Sequence, residues 1–223
     1  MEFFGAGEAL LAGPGDCAGL FRRLIRCLLQ CMMCLSTNQK SLKPKVTEMA
    51  RVEYSDPAKH NDRTRELLGK NRNANIFRMM AHSPSYLEQY CRLGGAIRHK
   101  GELDPIVREL AITRTGILCE APYEIVAHKR IGKNVGVTDE QNEALENWQS
   151  ATCFNDVQRA ALAFTDEIVA RHKPTDATFN AIAAKLTPAA LVELQLSVGF
   201  YIMTSKFLET FAIDMQPVTE VVG

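Results

Sequence analysis

The stretch from Pro188 to Ile213, PAALVELQLSVGFYIMTSKFLETFAI, constrains the fold more than any other, because it reads as one long helix that is apolar on nearly every side. Thr187 and Pro188 open it, since proline is tolerated where a missing N–H has no intrahelical partner. A helix apolar all round must be buried all round, and in a chain of 223 residues this points to a subunit interface as well as a core. No stretch alternates with period two between turn residues, so no strand is predicted and the expected class is all-α. Short connections, roughly two to eight residues, favour antiparallel neighbours in a helical bundle.

The other predicted helices carry their own punctuation. Asp104 caps a helix beginning at Pro105, and Pro122 disfavours helical geometry at Ala121, so two helices should meet at a corner through Cys119, Glu120, Ala121 and Pro122. Gly136 ends the second, and Thr138 with Gln141, then Asn155 with Gln158, have the spacing of capping boxes. Thr175 or Asp176 caps a further helix. Upstream, Asn75 to Ala81 reads as a short apolar helix. Ser83 and Pro84 read as a cap and first turn for a helix to about His99, with Tyr86, Leu87, Tyr90, Cys91 and Leu93 on its buried side.

Lys plus Arg and Asp plus Glu are 26 each, so no global field favours nucleic acid or acidic lipid, and small molecules or proteins are the expected partners. The seven cysteines are odd in number, and Cys17, Cys27, Cys31 and Cys34 crowd the N-terminal part, which is not the spaced framework of a small secreted fold. They read as mostly reduced and the protein as cytoplasmic. Cys31 and Cys34 form a C-x-x-C, but no second pair or nearby His completes a zinc site. No metal and no cofactor is expected. Residues 1–44 differ in kind from the 45–223 domain: LFRRLIRCLLQCMMCL is an amphipathic helix with a strongly apolar end, too short in its apolar runs to span a bilayer. Two readings of this arm stand side by side, an appended disordered segment and a membrane-surface or subunit-docking helix, and its acid-free interval leaves organelle targeting open.

Glu124 and His128, four apart, share a helix face, and Glu109 sits in the middle of the preceding helix, so a carboxylate and an imidazole can converge across the corner. Their plain reading is a satisfied core histidine with structural carboxylates. Arg78, Arg108 and Arg114 are candidate binders of a carboxylate, against the plain reading of solvated or ion-paired charges. Phe77, Met79, Met80, Tyr201 and Met203 are candidate pocket lining, against the plain reading of core.

The order RELAITRTGIL, APYEIVAHKRIGKNVGVTDEQ, then DVQRAALAFTDEIVARHKPTDATFNAIAAKLTPAALVELQLSVGFYIM resembles the carboxymuconolactone decarboxylase and AhpD-like family, over about residues 75–213. The resemblance implies an antiparallel all-helical bundle and a homo-oligomer, commonly a trimer or hexamer. It also implies one of two chemistries, cofactor-free decarboxylation or Cys-dependent peroxidase activity. Matched on His128, the family's relay acid falls on Glu109, and the two peroxidase thiols fall on Ala121 and Glu124. Neither can act as a thiolate, which disfavours the peroxidase branch. The decarboxylase branch matches Tyr123-Glu124 followed by His128 and implies a small carboxylated lactone or ring acid as substrate. His128 would then be general acid/base, Glu109 and Glu124 its carboxylates, and Tyr123 part of the substrate site. The alternative is a non-catalytic helical oligomer acting as a binding or scaffold protein.

Overall fold

The computed structural model describes residues 50–216, all within one unit of the chain, Thr47–Gly223. The readings made for the 1–44 arm therefore lie outside the described residues. Among the described residues there are nine α-helices, two short 3-10 turns and no strand. The helices are α1 (Asp62–Lys70), α2 (Asn75–Met80), α3 (Pro84–His99), α4 (Pro105–Leu118), α5 (Pro122–Val135), α6 (Asp139–Ala144), α7 (Asp156–Arg171), α8 (Asp176–Ala183) and α9 (Pro188–Phe211). None is long and apolar enough to cross a membrane.

The start and stop signals act as their chemistry requires. Asp104 Oδ1 accepts the Val107 N–H at 2.9 Å, and the Thr138–Gln141 and Asn155–Gln158 pairs close both halves of their capping boxes. Thr175 caps α8. Gly136, at φ 110°, ends α5 in the left-handed region, which a side chain rarely adopts.

α4 is the centre of the bundle. From Leu110 to Gly116 every residue is buried, together with Val107 and Glu109, because neighbours cover the helix on several sides. On one side Val107 and Ala111 join Phe164, Ile168, Leu194 and Val198 of α7 and α9, and on another Leu110 meets Leu145, Trp148 and Leu162. α5 runs back along α4, since Gly116 lies against Glu124 while Gly132 lies against Glu109. A β-carbon on Gly116 would stand 3.2 Å from that of Glu124. The two glycines let the helices approach closely enough for side chains on α4 and α5 to meet.

Two expectations are corrected. Ser83 makes no side-chain cap, so Pro84 alone marks the start of α3. On α3, Tyr86 and Leu93 are exposed, because the inward row is Leu87, Tyr90 and Gly94, and the seven-residue pair Tyr86–Leu93 falls on the adjoining stripe. On α9, Val192, Leu196 and Met203 form an open row within the single chain, each about half exposed, on the helix whose apolar sequence called for cover beyond its own core.

Candidate functional site

The α4–α5 hairpin brings Glu109, Glu124 and His128 into one buried group, with Arg108 at its edge. Glu109 Oε2 lies 2.7 Å from His128 Nδ1, and its Oε1 accepts from Arg108 Nε at 3.1 Å. Both carboxylate oxygens are therefore used, in a residue only 1% exposed. On the other edge of the imidazole, Glu124 Oε2 stands 3.3 Å from Nε2, an ion-pair contact without the alignment of a hydrogen bond. His128 Nδ1 is thus tied to Glu109, while Nε2 faces a carboxylate oxygen that retains unused acceptor capacity.

Electrostatics follow from this packing. Burial by itself would depress the His128 pKa, but the hydrogen bond to Glu109 and the close carboxylates of Glu109 and Glu124 outweigh it and push it up to about 8. The histidine is then an imidazolium at neutral pH. Burial works in the opposite sense on Glu109, yet His128 and Arg108 hold its carboxyl below the ordinary range. Glu109 and Arg108 thus form a charged support that holds the cation on the imidazole.

The aromatic residues beside this group come from α3 and α9. The Tyr201 ring meets the His128 ring edge to face at 4.6 Å between centroids, and its hydroxyl is buried with no hydrogen-bond partner. Burial pushes the Tyr201 phenol up, Arg98 pulls it down, and Glu124 and Glu109 push it further, so it remains a neutral O–H donor. Phe200 lies between Tyr201 and Tyr90, stacking on Tyr90 at 4.6 Å. Tyr201 entered the sequence reading only as possible pocket lining. Tyr90 was read there as a core residue, and Arg98 was missed. Nothing in local spacing signals that the Tyr201 ring meets that of His128 or that Arg98 acts on the Tyr201 phenol.

The remaining candidates are bonded elsewhere. Arg114 makes a forked pair with Asp166, at 2.7 and 3.1 Å, and also donates to the Leu145 and Glu146 carbonyls. Its guanidinium ties α4 to α7 and the turn after α6. Arg78 donates to the Ser55 carbonyl and lies over the Tyr54 ring. Tyr123 is half-buried in the cluster around Leu208, and burial with the nearby Glu124 charge pushes its phenol up to about 12. Ala121 and Glu124 occupy the positions matched to thiols. Burial raises the Cys119 thiol above its ordinary pKa, against the opposing pulls of Lys206 and Ser205. Among the described residues no group of three or more His, Cys, Asp or Glu side chains is placed to hold a metal ion.

Among the described residues, nine helices around a buried acid–histidine pair define an all-helical protein. Residues 84–167 match the model of the Carboxymuconolactone decarboxylase family, which places that segment, with Glu109, Glu124 and His128 inside it, in the family that the sequence resembles. The uncharacterized protein YnjA of Escherichia coli (strain K12) is 27% identical over 127 residues, which span 56% of this chain and 69% of that protein. Among solved structures, the alkylhydroperoxidase AhpD core, an uncharacterized peroxidase-related protein from Ralstonia eutropha JMP134, superposes with a TM-score of 0.69 at 20% identity, covering 78% of this chain and 95% of that one. The debrominase Bmp8, solved with 2,3,4-tribromopyrrole, superposes with a TM-score of 0.63 at 15% identity, covering 77% and 94%. At such identities these structures establish the shared fold and leave the chemistry to the site.

Proposed function

We propose that this chain is a cofactor-independent acid–base enzyme in which His128 transfers a proton to or from a small ring substrate, decarboxylation of an enolisable ring acid being the form favoured by the family match. The observation that carries this reading is the buried imidazole held between the carboxylates of Glu109 and Glu124, which favour its protonated form. In the decarboxylation, the bond to the carboxylate breaks, carbon dioxide leaves, and the electron pair moves into the conjugated carbonyl as an enolate. The His128 Nε2–H then gives its proton to the carbon, and solvent restores the proton to the imidazole. Glu109 fixes the tautomer through Nδ1, and Tyr201, whose ring meets that of His128 and whose buried hydroxyl has no hydrogen-bond partner, is a neutral donor for the enolate oxygen.

The acid form of His128 is the active one, so turnover should be flat at neutral pH and fall about tenfold per unit above about pH 8. Carbon dioxide release from 4-carboxymuconolactone, together with deuterium uptake from heavy water into a panel of enolisable ring acids, measures this directly. Absence of both, or a rate that keeps rising through pH 9, overturns the reading. Dithiol peroxidase chemistry draws no support from the site, where Ala121 and Glu124 replace the thiols and Cys119 is held protonated.

We also propose that the chain forms a homo-oligomer through the open row Val192, Leu196 and Met203 on α9. Gly199 lies in the same row with no atom within 4 Å of its β-carbon position, which leaves room for close approach of a second helix. The same row is what favours a scaffold or binding role should no substrate turn over. A charged residue in the row should break the assembly, so Leu196→Glu is expected to sediment as a smaller species than the unmodified protein.

A further inference from the structure

Helix α3 turns one face toward α9. Tyr90 stacks on Phe200, and a β-carbon on Gly94 would stand 3.2 Å from the Phe200 ring. Ile97 then packs with Ile112, Phe200 and Tyr201 in one apolar cluster. Arg98, one turn past Gly94 on the same face, follows that line to the Tyr201 end of the His128 group. Its charge pulls the Tyr201 phenol down, although the hydroxyl has no aligned hydrogen bond.

Arg114 has Asp166 as its counter-charge, and Arg108 has Glu109. Among the described residues no carboxylate lies within ion-pair distance of Arg98. Glu193, which lies against Gly101 beyond the end of α3, accepts the Leu103 N–H at 2.7 Å instead. Arg98 is only partly buried, and none of its nitrogens is enclosed without a partner, so its N–H groups are open to solvent. With His128 protonated, the three cations Arg98, Arg108 and His128 exceed the carboxylates of Glu109 and Glu124 by one charge. One bound carboxylate balances the group, and a partly buried cation is stabilised by such a partner.

We propose that Arg98 binds a carboxylate of the substrate at the solvent-facing edge of the His128 group. The fork of a guanidinium matches the two oxygens of a carboxylate. The carboxylate held there is a handle and not the group that leaves, because the cation stabilises charge that loss of carbon dioxide would remove. A molecule anchored in this way has its ring on the side of Tyr201, whose own ring meets the imidazole at 4.6 Å between centroids. As a substrate anchor Arg98 rests on the acid–base reading, and as an anion site it stands without it.

Calorimetric titration of the full chain with two probes of one shape tests the anion site without turnover. Benzoate should bind about tenfold more tightly than benzamide, which lacks the charge, a factor in keeping with hydrogen bonds to a charged group. Arg98→Gln should erase that preference and leave benzamide affinity unchanged, while Arg98→Lys should keep part of it. Arg92→Gln, which changes an exposed arginine on the same helix, should alter neither affinity. Where a ring acid is turned over, Arg98→Gln should raise KM about tenfold and leave kcat within about twofold, as loss of uniform binding does. Equal affinity for the two probes, no binding of benzoate, or a benzoate preference that survives Arg98→Gln overturns the proposal. So does a preference that Arg92→Gln removes equally, or a fall in kcat at unchanged KM in Arg98→Gln. Benzoate binding that depends on Arg98 in a protein that turns over no ring acid would defeat the acid–base reading and leave the anion site standing. Turnover without any Arg98-dependent binding would do the reverse.

Discussion

Glu109→Ala is expected to lower the stability of the folded chain by about 3–5 kcal/mol, the scale for removing one partner from a buried ionic network. The change leaves Arg108 and the His128 Nδ1–H without the oxygens that accept them at 3.1 and 2.7 Å, in a place where water does not reach. For a domain of this size that corresponds to a melting temperature lowered on the order of 10 °C. Glu109→Gln keeps the shape and one acceptor but loses the charge, and should fall between the two. The pH dependence has a definite sign. His128 has a folded pKa raised from 6.5 to about 8, so its contribution is complete below pH 6.5 and is lost as pH rises through about 8. Glu109 has a depressed pKa, so its contribution is present above its ordinary 4.5 and is lost as pH falls through the lower folded value. Thermal denaturation followed by circular dichroism should thus show a plateau between about pH 4.5 and 6.5 in the unmodified protein, flattening on the alkaline side in Glu109→Gln. A loss below about 1 kcal/mol in Glu109→Ala would contradict a coupled buried network.

What could be read in the chain ahead of the structure was whatever depends on neighbours in sequence. Asp104 before Pro105, Thr138 with Gln141, and Gly136 after Val135 each specify a helix end through groups at most a turn apart, and each does so in the fold. Glu124 and His128 belong to the same class, being one turn apart. Glu109 is harder. It sits 19 residues from His128, and it was placed by resemblance to a family in addition to helix periodicity. Tyr90 and Thr204, 114 residues apart, and Arg114 and Asp166, 52 apart, meet through packing that no local pattern encodes. Arg114 looked like a candidate for an external anion because a guanidinium has the same appearance in sequence whether or not an internal carboxylate awaits it. Exposure on α3 was misread for a related reason. Tyr86 and Leu93 are apolar enough for a core, but Phe200 of α9 presses on Gly94 and turns the helix so that Leu87 and Gly94 face inward.

The largest functional effect is expected at His128. Replacement by Ala should reduce turnover by about 10²–10⁴-fold, the usual contribution of a positioned general acid/base. Loss of activity alone would not separate chemistry from folding, since removing the imidazolium strips Glu109 of its 2.7 Å partner and leaves Glu124 buried without an opposite charge. His128→Gln addresses this, because an amide N–H can still donate to Glu109 while supplying no titrating group near neutral pH. The reading requires equal loss of turnover in both variants, with helicity and sedimentation retained at least in the Gln form. Turnover above about a tenth of the unmodified rate in His128→Gln would remove His128 from the chemistry. Glu124 then decides between two roles. If it acts by holding charge on the imidazole, Glu124→Gln should move the alkaline limb of the rate profile below about pH 8 and leave the rate at pH 6 nearly intact, since Glu124 is one of the two carboxylates that raise His128. If it exchanges protons with substrate itself, the rate at pH 6 should collapse as in His128→Gln, and the limb position will carry no information about it.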